Sequence, residues 1–399
     1  GLKLDDAIKL ALTRNERAKI AALDIEVAAA GVDKARVAFL PVLQATGNDT
    51  IHPRDNPTNT INGALTLNQP LIAPSAFPLY DQAKHELSSQ RAQSTDDRRQ
   101  LAFDAAKAFL NVLLADEVLK AAQRKLETAR ADLADTDAQV RAQLVSSNDV
   151  TRAQIELAGS VREVASDQGT LDAAYVNLAL LINQRVSGGL EIPTAMLAAG
   201  ARPLAAVDGL VAASLVQRPD LIARKETALA AHDFAREPRM RWFPTFGLSG
   251  QLTTASPISR NNDDYLDGTI ALNATWTIYD AGSRTADARS RDASAEIADL
   301  TTTNLARTVE AQVRSAAVSL VSAQQALLAA NDAMLASQKS ASETAILYHQ
   351  QLAKAIELLD ANEQRFAAEV DYAVAQFAVA GAYLTLRQTM GLEPIGDLP

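Results

Sequence analysis

The four histidines, His52, His85, His232 and His349, are the side chains from which a metal or acid–base site would most readily be built. They fall on one loop and three separate helical stretches, and none has a second ligand at metal-binding spacing. Cysteine is absent, which removes thiolate nucleophiles, thiolate metal ligands and disulfides. Gly188-Gly189 lacks the preceding strand and following helix that a phosphate loop requires. Asp280-Ala281-Gly282 reads as a turn rather than a catalytic acid. What remains is a pair of carboxylates, Glu357 and Asp360, whose i, i+3 spacing puts them on one helix face. By itself that spacing describes a solvated acidic face. No catalytic residue, metal site or cofactor is expected.

The elements that carry these residues are long. Aromatic residues are only 5% of the chain, while alanine recurs in nearly every helical turn, as in narrow seams between closely packed helices. No apolar run is long enough for a transmembrane helix, although short alternating strands of a membrane barrel escape that test. The formal net charge of −10 argues against nucleic acid as a partner, because phosphate binding needs a basic surface. The sequence opens at Gly1 with no charged n-region or apolar h-region, as expected of a mature or trimmed product.

The chain superposes on itself. Asp5 matches Asp208, Leu12 matches Leu215, Pro41 matches Pro244 and Gly47 matches Gly250, all at one offset; further on Ala153 matches Ala361, Tyr175 matches Tyr383 and Leu178 matches Leu386 at a slightly larger one. Each copy opens with an amphipathic helix, Leu4 to about Ala38 and Val207 to about Arg241, ending in Phe39-Leu40-Pro41 or Trp242-Phe243-Pro244. Two strands follow in each, at about 42–51 and 61–72, then about 245–255 and 268–279. Ile270, Leu272, Ala274, Trp276 and Ile278 alternate with Ala271, Asn273, Thr275, Thr277 and Tyr279, giving one apolar and one mainly polar face. The intervening segments, His52 to Thr60 and Ser256 to Asp267, are rich in Pro, Asn and Asp, as solvent-facing loops are. Strands of about ten residues suit a tilted crossing of a bilayer. Four cannot close a barrel and open edges are not tolerated in lipid, so other chains must complete it; three copies would supply twelve strands.

After the strands each copy carries heptads, Leu119, Ala122, Leu126, Ala129, Leu133, Thr136 and Val140 in the first and Leu327, Ala330, Met334, Ser337, Ala341, Thr344 and Tyr348 in the second. Return helices follow, so the copies end in antiparallel helical hairpins at about 75–182 and 281–390. The longer arm spans roughly 100 Å and the return arm about half of that. An opening helix stacked on a return helix would match the long one, as in the wall of a tube. The repeats are assigned to residues 1–183 and 207–391, the Gly- and Pro-rich stretch 184–206 to a mid-height linker, and 392–399 to a tail.

The duplicated order of helix, two strands and helical hairpin resembles the TolC family of outer-membrane efflux proteins over essentially the whole chain. Arg218-Pro219-Asp220-Leu221 through Trp242-Phe243-Pro244 looks like the family's second-repeat opening, and Trp276 to Gly282 is similar to its last strand and strand-to-helix turn. The resemblance implies a mainly α fold with a small membrane β-barrel, in a homotrimer whose twelve-stranded barrel surmounts a long α-helical tunnel closed by the hairpins at its far end. It implies a passive exit duct of a tripartite efflux pump or type I secretion system, set in outer-membrane lipid with a long periplasmic portion. A periplasmic adaptor and an inner-membrane pump are its implied partners.

The same resemblance assigns roles. Tyr348 to Ala361 aligns with the segment lining the constricted end, where Glu357 and Asp360 would form stacked carboxylate rings in a trimer, attracting cations. Asp149 and Tyr348 match positions that hold the closed end together. The family's basic partner falls at Ala353, which cannot pair, leaving the adjacent Lys354 as a substitute; Asp149 serves equally as a helix N-cap. The adaptor-contacting tips are Gln143, Leu144, Val145 and Ser146, and Gln351, Leu352 and Ala353. The family usually has glycine at the places of Gln143 and Gln351, so a different turn is expected there. The competing reading is a soluble oligomeric coiled-coil scaffold. A barrel would present Leu65, Leu67, Leu272, Trp276 and Ile278 to lipid; a soluble sheet would bury them against protein.

Overall fold

Apolar spacing at helical period over the hairpins and at period two over the strands fixes the element types. The computed structural model describes residues 1–50, 60–186, 188–204, 206–256, 266–396 and 398. Its helices are α1 (Leu4–Arg14), α2 (Glu16–Arg36), α3 (Ala76–Arg141), α4 (Ser147–Ile182), α5 (Thr194–Gly200), α6 (Val207–Gln217), α7 (Pro219–Met240), α8 (Ser283–His349) and α9 (Ala355–Thr389); its strands are β1 (Val42–Thr50), β2 (Thr60–Ile72), β3 (Thr245–Ser256) and β4 (Leu266–Thr275). Most of the two loops expected between strands, residues 51–59 and 257–265, lies outside the described residues.

Each opening helix, expected unbroken, is two helices. Asn15 breaks the first: its Oδ1 accepts from Arg17 N at 2.9 Å and its Nδ2 donates to Leu181 O at 2.8 Å. Arg218 breaks the second, held extended before Pro219, and its Nη1 donates to Thr389 O at 3.0 Å. Asn15 and Arg218 are equivalent in the duplication, as are Leu181 and Thr389. Both repeats thus use the break to satisfy a carbonyl that the end of the return helix leaves without an intrahelical partner. The return helices stop on equivalent left-handed residues, Asn183 (φ 49°) and Gly391 (φ 83°). At Gly391 a Cβ would stand 2.9 Å from the Cα of Arg218, so close approach and backbone both require glycine there.

The chain divides into two compact units, each drawing on both repeats. The first comprises Gly1–Ala21, Thr95–Pro219 and Ala306–Pro399; the second comprises Ala22–Ser94 and Asp220–Leu305. In the first, Leu101, Phe103, Phe109, Leu178, Ile182, Leu320, Tyr383, Leu384 and Leu386 form a fully buried core. Two buried arginines close its edge: Arg99 pairs with Asp96 and donates to Gln388 O, and Arg387 donates to Glu393 O and Ile395 O. Guanidinium groups suit this task because they offer several donors in a fixed plane to backbone oxygens.

In the second unit the helices bury mainly alanine, with Ala223, Ala228, Ala230, Ala235 and Ala295 inside, and small side chains allow close approach. Arg284, buried, pairs with Asp280 at 2.7 Å and lies 3.9 Å over the Trp242 ring, while Trp276 Nε1 donates to Trp242 O at 3.0 Å. These contacts fasten the end of the last strand to the helix that follows.

The sheet is antiparallel in the order β1-β2-β3-β4, pairing Leu43 with Leu67, Leu67 with Gly250 and Gly250 with Ile270 across its width. Residues directly opposite share a face, so Leu43, Leu65, Leu67, Leu248, Leu252, Ile270 and Leu272 make one apolar face. Gln44, Thr66, Asn68, Ser249, Gln251, Thr269 and Asn273 make a polar one. The last strand, expected to about Tyr279, ends at Thr275, which pairs with Thr245. The next position on β3's side is Pro244, which has no N–H to offer. Among the described residues, no helix is long and apolar enough to cross a membrane.

Candidate functional site

The hairpin tips are two copies of one turn. Gln143 and Gln351 are left-handed, with φ of 60° and 62°. At the first tip Gln143 N donates to Val140 O and Leu144 N to Gln139 O; at the second Gln351 N donates to Tyr348 O and Leu352 N to Leu347 O, each at 2.8–2.9 Å. This is the Schellman arrangement. A different turn was expected for want of glycine, but glutamine takes the same left-handed turn.

After each tip an acid three residues into the return helix reaches back to its first N–H. Asp149 Oδ2 accepts from Ser146 N at 3.2 Å, and the Ser146 hydroxyl accepts from Asn148 N at 3.2 Å. The N-cap is therefore Ser146 and not Asp149, which completes the capping box. At the equivalent place in the second repeat, Glu357 Oε2 accepts from Lys354 N at 2.9 Å. Asp360, one turn on, accepts from Gln364 Nε2 at 2.9 Å. Both acids are exposed, and the helix N-terminus favours the negative charge of Glu357 in its first turn.

Asp149, Tyr348 and Lys354 are not brought together within one chain. Tyr348 is buried against α3, its hydroxyl 3.2 Å from Gln139 Oε1, while Lys354 is exposed at the start of α9.

Sequence reasoning missed the polar face between α3 and α9. Lys125 Nζ lies 2.7 Å from Glu363, 3.0 Å from Glu163 and 3.6 Å from Glu156, with its side chain only 12% exposed. Burial lowers the lysine pKa, but hydrogen bonds to Glu363 and Glu163 outweigh it and hold the ammonium above the usual lysine range. Nearby, Arg124 pairs with Glu369 at 3.0 Å, and Asn362 Nδ2 donates to Asp132 Oδ2 at 3.1 Å. Burial pushes the Asp132 carboxyl up, and the bond from Asn362 offsets part of that. Lys125 falls outside the heptad positions Leu119, Ala122 and Leu126, and its partners lie on other helices, so no local pattern pointed to these contacts.

His85 is paired with Glu226 at 2.8 Å and His232 with Asp299 at 2.8 Å. Asp280 caps α8, accepting from Gly282 N and Arg284 N at 3.2 and 2.9 Å, and these bonds, that from the Arg284 backbone first, hold its carboxyl below the usual range. Among the described residues, no group of three or more His, Asp or Glu could hold a metal ion.

Duplicated helical hairpins, with a short sheet whose apolar face lies open, define the class of outer-membrane exit ducts. Within one chain Leu65 and Leu272 of the sheet, and Trp276 and Ile278 just beyond it, are 41%, 69%, 60% and 75% exposed. The chain belongs to the outer membrane efflux protein family, whose profile matches residues 7–184 and 210–392. It is thus an efflux channel of the outer membrane of a Gram-negative cell. Among solved structures, the open state of the MtrE outer-membrane channel of Neisseria gonorrhoeae matches at 21% identity over 99% of this chain and 90% of its own, with a TM-score of 0.84. The CmeC outer-membrane channel of Campylobacter jejuni matches at 16%, covering 99% and 87%, with a TM-score of 0.82. The outer-membrane protein VceC of Vibrio cholerae matches at 15%, covering 98% and 96%, also at 0.82. These likenesses concern the fold. No curated protein matches the chain.

Proposed function

We propose that three copies of this chain close their four-stranded sheets into a twelve-stranded barrel and their helices into a tunnel, forming a passive duct that performs no chemistry. The open edges carry this reading. β1 and β4 are the outer strands, antiparallel to each other and exposed along their length, so β4 of one copy can continue antiparallel onto β1 of the next. An even strand number is what lets identical copies close without a parallel seam. The exposed apolar side chains of α4, Ile155, Val161, Val176 and Leu180, and of α8, Val318, Leu328 and Leu335, supply two different faces for a head-to-tail ring. An adaptor and an inner-membrane pump complete the assembly, by resemblance to the family, with the adaptor meeting the tips at Gln143 to Ser146 and Gln351 to Ala353.

Glu357 and Asp360 are proposed as the cation-attracting constriction, two exposed carboxylates one turn apart that threefold symmetry would repeat as rings. Asp149, Tyr348 and Lys354 are proposed as a latch between neighbouring copies, since within one chain they do not meet. Replacing both acids, Glu357→Ala with Asp360→Ala, should raise single-channel conductance and weaken block by divalent cations in a planar bilayer. Conductance and block equal to the parent's would remove the ring from the account.

A further inference from the structure

Between Leu101 and Leu113 α3 is buried on nearly every side, and the sector left open is the floor of a groove between α4 and α9. The groove holds about 450 Å³ and runs roughly 15 Å along α3. Its middle is apolar and built from short side chains, with Ala115 and Val118 of α3 below, Ala173 and Ala174 of α4 on one side and Val374 of α9 on the other. Asn111 and Asn177 stand at one end. Asp167 stands at the other, toward the hairpin tip.

Among the described residues, nothing donates a hydrogen bond to the Asp167 carboxylate and no cation pairs with it; burial, and then the charge of Glu163, push its pKa up. Glu163 lies one turn tipward and is held by Lys125 at 3.0 Å, a lysine shared with Glu363 at 2.7 Å. Lys107, on the same side of α3 but roughly 20 Å away along the axis, is bonded to Gln388 Oε1 at 2.7 Å. Both ammonium groups on this side of α3 are thus engaged elsewhere, and a carboxylate at the edge of an apolar trough is left without a counter-charge.

The helical framework does not require this arrangement. At the equivalent places of the second repeat Asp167 becomes Ala375, Asn111 becomes Ser319, Leu114 becomes Ser322 and Asn177 becomes Thr385. The groove also lies about a third of a turn round α4 from Ile155, Val161, Val176 and Leu180, the row assigned above to a neighbouring copy.

We propose that this groove binds amphipathic organic cations, rod-shaped molecules whose positive end meets Asp167 and whose apolar body lies along Ala115, Ala173 and Ala174. Small ligands sit in mostly apolar concavities where a few polar groups fix their orientation, and this groove has that composition. As a station for cargo passing through the duct it rests on the channel reading; as a binding site it does not.

The test uses the purified, detergent-solubilised protein and dimethylaminostyryl-N-methylpyridinium, a rod-shaped monocation whose fluorescence rises when it is immobilised, beside the uncharged analogue that lacks the N-methyl group. Titration at fixed detergent, corrected for detergent alone, should show saturable binding of the cation and about tenfold weaker binding of the analogue. Asp167→Asn should weaken the cation about tenfold and leave the analogue unchanged. Ala173→Leu, which fills the trough, should weaken both. Asp172→Asn, at an exposed acid on another face of α4, should change neither.

Equal affinity of the parent for cation and analogue overturns the proposal, a result that needs no variant to fold. Cation binding that Asp167→Asn leaves intact overturns it as well. So does the absence of saturable binding by either molecule, which is what a groove filled by a neighbouring copy would give. Single-channel recording of the same preparation is read separately: a protein that binds the cation but never conducts counts against the duct, and one that conducts without binding counts against the site alone.

Discussion

At the scale of single residues, the tips show a chain accepting local strain. A non-glycine residue in the left-handed region costs about 1–2 kcal/mol, and glycine avoids it while losing more freedom on folding. Gln143→Gly and Gln351→Gly should therefore each stabilise the protein by roughly 0.5–1 kcal/mol, read as a rise in the thermal midpoint with single-channel conductance unchanged. A fall in the midpoint would mean that the glutamine side chains make contacts worth more than the strain they impose. Lys125 carries a different lesson, about pH. Its pKa is raised in the fold, so its contribution is complete below the unfolded lysine value of about 10.4 and is lost only as pH rises through the still higher folded value. Across the neutral range the lysine therefore keeps its charge.

At the scale of elements, what was legible in the sequence depended on whether the signal was local. The alternation of Ile270, Leu272, Ala274 and their neighbours announced a two-faced strand, and the structure has that strand with its apolar side open. The alternation runs on through Tyr279, yet pairing stops at Thr275, because the partner strand begins after Pro244; pairing is a property of two segments. Likewise nothing in the neighbourhood of Asn15 forbids helix. The break there is held by a hydrogen bond to Leu181, which is distant in sequence, whereas the equivalent break at Arg218 was readable from Pro219. The Lys125 cluster was illegible for the same reason, its three partners coming from two other helices. The sheet also makes an element-scale prediction. Leu67→Arg on the apolar face should cost about 2–4 kcal/mol if that position meets the bilayer interior and so reduce folded protein recovered from membranes. Thr66→Arg, on the polar face, should be tolerated. Equal recovery of the two would argue that the apolar face does not meet lipid.

At the scale of the whole molecule, a single chain has a sheet with two open edges and helices with exposed apolar rows, and the proposed ring of identical copies would cover both. The family membership agrees with that ring and with an outer-membrane efflux channel. The two repeats differ near their tips: the acid that follows each tip is Asp149 in one and Glu357 in the other, and the place of Lys125 is taken by Ala333. The most direct test of the central claim is single-channel recording of the purified, detergent-extracted protein in a planar bilayer, with divalent cations added from the side opposite the barrel. Small, cation-selective steps that divalents block are the expected result. A well-folded trimer that never inserts and never conducts would contradict the account.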